Sequence, residues 1–229
     1  MRALLVTVVL LAGVLLLADR VAVGIAENRI AGELADRGGL VGEPDVDIGG
    51  FPFLTQALSG RYDDVRLSLA PGQLAETPDT RADVALRGVR LPLSDVLSGS
   101  VRQVPVDRID GTATISYDLL AAQLGGDARI EPEGEGLRVS RTVEVLGYTL
   151  PVSAAGTVSL DGDELVIDVE QASGAGVEIP GFLVRQVSDL LDLRYTVALP
   201  FGLQLTDVAP AADGVEVRVE ATDAVLSAE

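Results

Sequence analysis

Thirty-five carboxylates and seventeen basic residues, every one of them arginine, define the chemistry open to this chain, which has no histidine, cysteine or lysine. Ser-His-Asp and Cys-His catalysis, histidine-bearing zinc sites and thiol redox chemistry are therefore excluded. The absence of lysine removes Schiff-base chemistry and the phosphate-binding lysine of a P-loop. No GxGxxG follows a strand, and no GxSxG elbow is present. The acids suggest two other chemistries. Asp45-Val46-Asp47-Ile48-Gly49-Gly50 opens like a calcium loop, but its fifth position is Gly49 and its twelfth is Gln56, neither of which supplies the required carboxylate. A strand edge facing water accounts better for these acids. A glycosidase pair could be drawn from many of the carboxylates, yet the chain has no Trp and only four Tyr on which a sugar could stack. No catalytic residue, metal site or cofactor is expected, and the chain reads as a non-enzyme.

The residue types that remain informative are apolar. Two of the four phenylalanines, Phe51 and Phe53, flank Pro52 in GGFPFLTQALSG, residues 49–60. Gly49 and Gly50 permit a sharp corner, and Pro52 presets the backbone for a helix start. The rings either plug the end of an ordinary core or line the mouth of an apolar cavity. A fainter copy of this arrangement follows Ile179, where Pro-Gly-Phe-Leu leads into VRQVSD. The candidate apolar contact residues are Phe51, Phe53, Leu54 and Leu58 from the first corner. Phe182, Leu183, Val187 and Leu190 come from the second, and Phe201 joins them.

The elements that must position these residues begin with a leader, MRALLVTVVLLAGVLLLADR. Ala3 to Ala18 is a run of 16 uncharged residues after Arg2, the basic and apolar regions of a secretory signal. It is short for a membrane span of about 20 residues and lacks a clean small-x-small cleavage site. Residues 1–26 therefore read as a cleaved signal peptide or a retained signal-anchor, and residues 27–229 as a single domain. The expected location is outside the cytoplasm: periplasm or cell envelope, on the outer face of the cytoplasmic membrane if the leader is retained. Without cysteine there is neither a disulfide nor a lipoprotein attachment site. The formal net charge is −18, which disfavours nucleic acid and adsorption to anionic headgroups. Any contact with lipid must then be apolar.

Residues 20–37 predict a helix with Val23, Ala26, Ile30 and Leu34 on one face, stopped by Gly38-Gly39. Beyond it the period is two. Val65, Leu67 and Leu69 alternate with polar residues, as do Val84 and Leu86; Val89, Leu91 and Leu93 resume out of phase after Gly88, which predicts a bulge. Further strands are expected at 104–117, 137–145 and 158–169 (turning at Asp161-Gly162-Asp163), then 195–205 and 215–219. Short helices are expected at 94–97 and 118–124 and from Pro180, with loops at 71–79 and 131–136. One aliphatic and one charged face per strand indicates an antiparallel sheet, within an α+β fold.

GGFPFLTQALSG with the following YDDVRLSL, then LRGVRLPLSDVL and VDRIDGTATISYDLL with its Tyr117-Asp118-Leu119 end, resembles the LmeA-like phospholipid-binding proteins of the actinobacterial cell envelope. The resemblance implies an exported, non-enzymatic protein of the tubular lipid-binding, half-barrel type. In that architecture a long helix lies on a strongly curved antiparallel sheet, with phospholipid acyl chains held between them. It also implies a role in envelope lipid or lipoglycan biogenesis. No residue-level binding motif carries over, so the candidate contact residues rest on the pattern above. Two other readings compete: a structural or partner-binding envelope module with its aliphatic faces packed together, and an acidic carbohydrate-active enzyme. The membrane itself becomes a partner if the leader stays attached.

Overall fold

A computed structural model describes residues 2–38, 40–73, 80–98, 100–124, 128–145, 148–162, 164–174, 177–178, 180, 194–196 and 199–227. The chain divides into two compact units. One comprises Met1–Ala75, Asp83–Asp110 and Ala221–Glu229; the other comprises Glu76–Ala82 and Gly111–Glu220.

The first unit is organised by α1 (Arg2–Gly38), a single helix of 37 residues that runs through leader and predicted helix without a break. At 1.5 Å per residue it is about 55 Å long. From Leu4 to Leu17 its large apolar side chains are exposed all round. Packing begins at Asp19, which is buried, and continues through half-buried Ala22, Val23, Ala26 and Glu27 to buried Ala31. This stripe is rotated by about one residue from the predicted one: Ile30 and Leu34 are each 37% exposed. Small Ala31 lies on the packed side.

β1 (Asp45–Gly49), α2 (Phe53–Ser59) and β2 (Arg61–Leu69) follow, then most of β3 (Arg81–Arg90) and α3 (Leu93–Ser98). β1 and β2 pair antiparallel with Ile48 opposite Val65. Val46 and Ile48 point inward and Asp45 and Asp47 outward to solvent, which is the period-two pattern of a half-buried strand. β3 changes phase at Gly88, whose φ is +64°. It ends at Arg90, earlier than the alternation predicts: Pro92 cannot extend a ladder, and Leu93 opens α3. The core of this unit is aliphatic, with Val46, Ile48, Val89, Val106 and Ile109 buried; two rings, Phe53 and Tyr62, meet at 6.2 Å between centroids.

β4 (Gln103–Ser116) and β12 (Gly214–Ser227) contribute residues to both units. The second unit adds α4 (Tyr117–Leu124), β5 (Arg129–Glu133), β6 (Gly136–Val145), β7 (Tyr148–Asp161), β8 (Glu164–Gly174), β9 (Val177–Glu178), β10 (Arg194–Thr196) and β11 (Gln204–Pro210). One sheet has the order β1-β2-β3-β4-β12-β11, the other β10-β8-β7-β6-β5 with β9 beside β8; both are open. The register shifts between Ala155 and Gly156 and between Leu205 and Asp207, bulges of the kind that bend a strand. The fold is α+β, a long helix with a curved antiparallel sheet.

Three expectations need correction. The strand predicted over 195–205 is broken: Pro200–Gly202 form a 3-10 turn in which Phe201 has φ +58°. Proline cannot donate to a ladder, and alternation on both sides hides the interruption. Tyr117 starts α4 rather than ending a strand, and its hydroxyl donates to the Ala211 carbonyl at 2.7 Å. The acidic loop at 131–136 is shorter than expected, because β5 runs to Glu133 and pairs Pro132 with Leu137. The helix expected from Pro180 lies outside the described residues.

Burial holds the Tyr62 phenol above its ordinary value of 10.0. A raised folded-state pKa stabilises the protein below the unfolded value and loses that stabilisation as pH rises past it. Urea denaturation at increasing pH should therefore show stability falling above pH 10, and Tyr62→Phe should flatten that alkaline limb. In the same assay Phe53→Ala should lose about 3–5 kcal/mol, the range for removing a buried ring.

Candidate functional site

The corner at residues 49–60 is built by three side chains that satisfy backbone groups. Gln56, buried on α2, donates from Nε2 to the Gly49 carbonyl at 3.1 Å and accepts the Asp63 N–H on Oε1 at 2.9 Å. It thus ties the end of β1 to the start of β2. Gly50, at φ +90°, makes room for this: a Cβ there would lie 2.6 Å from Gln56 Nε2. Pro52, in extended conformation, precedes the helix and offers no capping side chain. The cap comes from far away in sequence. Asp19 Oδ1 on α1 accepts the Leu54 N–H at 2.8 Å, satisfying one of the amides that a helix start leaves open. Its other oxygen is buried with no hydrogen-bond partner among the described residues, and the Arg20 guanidinium stands 3.8 Å away. Two turns further on, Glu27 Oε1 accepts the Ile48 N–H at 2.9 Å.

The chain between these anchors runs antiparallel to α1. Glu43 lies beside Gly32, Ile48 beside Glu27 and Leu54 beside Asp19. α2 is therefore set at the level where the uncharged run Ala3–Ala18 ends. α3 is drawn to the same end, since Leu91 N–H donates to the Gly60 carbonyl at 2.9 Å.

At this corner the candidate residues divide. Phe53 turns inward onto Tyr62 with Gln56 and Ala57, all three buried. Phe51 and Leu58 are 56% and 81% exposed and Leu54 is partly so; Leu54 and Leu58, four residues apart, share the outer face of α2. The Arg20 guanidinium carbon lies 5.2 Å from the centre of the Phe51 ring, a cation–π geometry. Phe201 is exposed and belongs to the second unit. Phe182, Leu183, Val187 and Leu190 lie outside the described residues, so the second corner is not compared with the first.

A second apolar surface lies within the second unit. Leu137 and Val139 on β6, Val152 and Val158 on β7 and Val169 on β8 share one face by register and are only half-buried. Sheet aliphatics with this accessibility offer area to a further apolar component.

Asp19, Glu27 and Gln56 were not among the candidate residues. Asp19 carries one visible signal, being the first charge after the apolar run; its partner 35 residues away has none.

The sequence model of the LmeA-like phospholipid-binding family matches residues 17–220. The chain belongs to that family. The match begins two residues before Asp19, so both acids that hold α1 to the corner fall inside it, as does each candidate contact residue. No curated protein and no solved structure matches the chain. The family is a phospholipid-binding one.

Removing the Asp19 acceptor should unsettle the corner. In detergent-solubilised full-length protein, Asp19→Ala should lose about 1–2 kcal/mol, the range for a lost helix cap, while Asp19→Asn retains an acceptor and most of that stability. Thermal melts of the two variants beside the unsubstituted protein measure the difference.

Proposed function

We propose that this protein is exported, stays attached to the outer face of the cytoplasmic membrane through α1, and binds phospholipid by its acyl chains without catalysing a reaction on it. The observation that carries this reading is the family match over residues 17–220. Further support comes from α1, which over Arg2–Asp36 is long and apolar enough to cross a membrane and whose most apolar stretch is almost wholly unpacked. Arg2 precedes this segment and Arg20 follows it. Asp19, within residues 1–26, engages α2 from the helix itself, which favours retention of the leader over its removal. Support for acyl contact comes from the half-buried aliphatics of β6, β7 and β8 and from Phe51, Leu54 and Leu58. At about 0.8 kcal/mol per buried CH₂, about ten methylenes contribute near 8 kcal/mol before ordering costs reduce it. Service in lipid or lipoglycan biogenesis of the envelope is the role such binding would fill.

The decisive measurement is native mass spectrometry of the protein released from mild detergent. Bound phospholipid at near one-to-one ratio is expected. A protein free of lipid after gentle extraction would instead favour a partner-binding module with its aliphatic faces closed.

Because the chain carries −18, acyl burial rather than headgroup attraction should govern affinity. Binding of an anionic and a zwitterionic phospholipid of equal chain length should change little between low and high salt. A steep loss with salt would point to arginine–phosphate contacts, first at Arg61 beside the corner, and would overturn the acyl mechanism. Protease added to intact spheroplasts should digest the domain from outside; protection until lysis would overturn export.

A further inference from the structure

We propose that the exposed apolar side chains at the α2–α3 end of the first unit, Phe51, Leu54, Leu58 and Val96, seat in the outer interfacial layer of the bilayer that α1 spans. The proposal rests on α1 as a retained membrane span and adds a second, non-spanning point of attachment.

The argument starts from length. Ala3–Ala18 is 16 residues, about 24 Å of helix, against a hydrocarbon core about 30 Å thick. The helix is short by about 6 Å, or about four residues. Those residues are Asp19 to Ala22, the level at which α2 is bonded to the helix through Asp19 and Leu54. A bilayer that covers the full apolar run therefore reaches α2. An acid at that depth is unfavourable unless it is paired; Asp19 is 2% exposed, with Oδ1 bonded to the Leu54 N–H and Oδ2, which has no hydrogen bond among the described residues, 3.8 Å from the Arg20 guanidinium. Arg20 is long enough to reach the headgroups, as arginines at span ends do, and its guanidinium is already over Phe51.

The surface at that level has the composition of an interface. Phe51 and Leu58 are 56% and 81% exposed, Val21 on α1 is 54% exposed, and Val96 on α3 is 41% exposed. α3 is fixed to the same end by the Leu91–Gly60 backbone bond. These side chains continue the apolar surface of the span instead of forming an isolated patch, and the occupant that matches an apolar surface continuous with a membrane helix is the membrane. The rest of the chain, acidic overall, is held off the headgroups by its charge.

The chain has no tryptophan, so single-Trp variants report depth directly. Full-length protein carrying Leu58→Trp, Phe51→Trp, Leu10→Trp or Val41→Trp would be reconstituted into phosphatidylcholine vesicles brominated either near the carbonyl end or near the middle of the acyl chain. Leu58 and Phe51 are exposed positions where a larger ring fits without repacking. Val41, 61% exposed, sits at the opposite end of α1 and controls for the affinity of tryptophan itself for interfaces. The expected result is a blue-shifted Leu58→Trp and Phe51→Trp emission, quenched about twofold or more by the shallow bromines. Leu10→Trp should be quenched by the deep ones, and Val41→Trp should be untouched. Leu10→Trp quenched while Leu58→Trp and Phe51→Trp behave like Val41→Trp would overturn the seat and leave the span standing. An unquenched Leu10→Trp would overturn the span, and the seat with it.

Discussion

The hydrogen bond from the Leu54 N–H to Asp19 is the constraint on which the rest of the first unit depends. It joins the first charged residue after an uncharged run to the first turn of a seven-residue helix that is too short to be stable alone. α2 has no N-terminal capping side chain of its own, and Asp19 has no other protein hydrogen bond for its carboxylate among the described contacts. Each satisfies a need of the other. Once α2 is fixed, Phe53 is directed onto Tyr62, Gln56 reaches both flanking strands, and the outer face of the corner is left to Phe51, Leu54 and Leu58.

The two units solve the aliphatic problem differently. The first closes a small core around Val106 and Ile109 with two aromatic rings at its corner. The second is mostly sheet, and many of its aliphatic residues remain half accessible. A chain with 3% aromatics has few large rigid groups with which to seal such a surface. Branched aliphatics leave a smooth, shape-tolerant lining, which suits flexible chains better than rigid ligands. Polar groups on the strands are absorbed by neighbouring charges, as where Arg218 on β12 bonds Asp207 on β11 and Glu216 on its own strand.

Much of the architecture was legible from periodicity. β2, β6, the β7–β8 hairpin and β12 follow the alternation of Val and Leu with polar residues, and Gly88 marks a real change of phase. Two kinds of feature were not. The break at Pro200–Gly202 hid inside an unbroken alternation, because counting apolar positions ignores that proline lacks a donor; the residue types held the warning. Asp19, Glu27 and Gln56 act through backbone amides distant in sequence, and an amide carries no side-chain signature. The corner itself was visible from its glycines and proline, but which of its phenylalanines faces inward was not. Phe51 and Phe53 are two residues apart, and the helix start at Phe53 separates their directions.

Glu27 has a consequence for the solubility of the chain. β1 ends its sheet, and an end strand offers unpaired amides to any other strand that approaches. On this strand the Ile48 N–H is already taken by α1. The helix that carries the apolar N-terminal run is thus also the cover of a sheet edge. Cutting it away beyond Glu27 would remove that acceptor and expose a template for strand addition. A form without that helix would be prone to self-association, so the proposed membrane attachment and the protection from aggregation fall to one element.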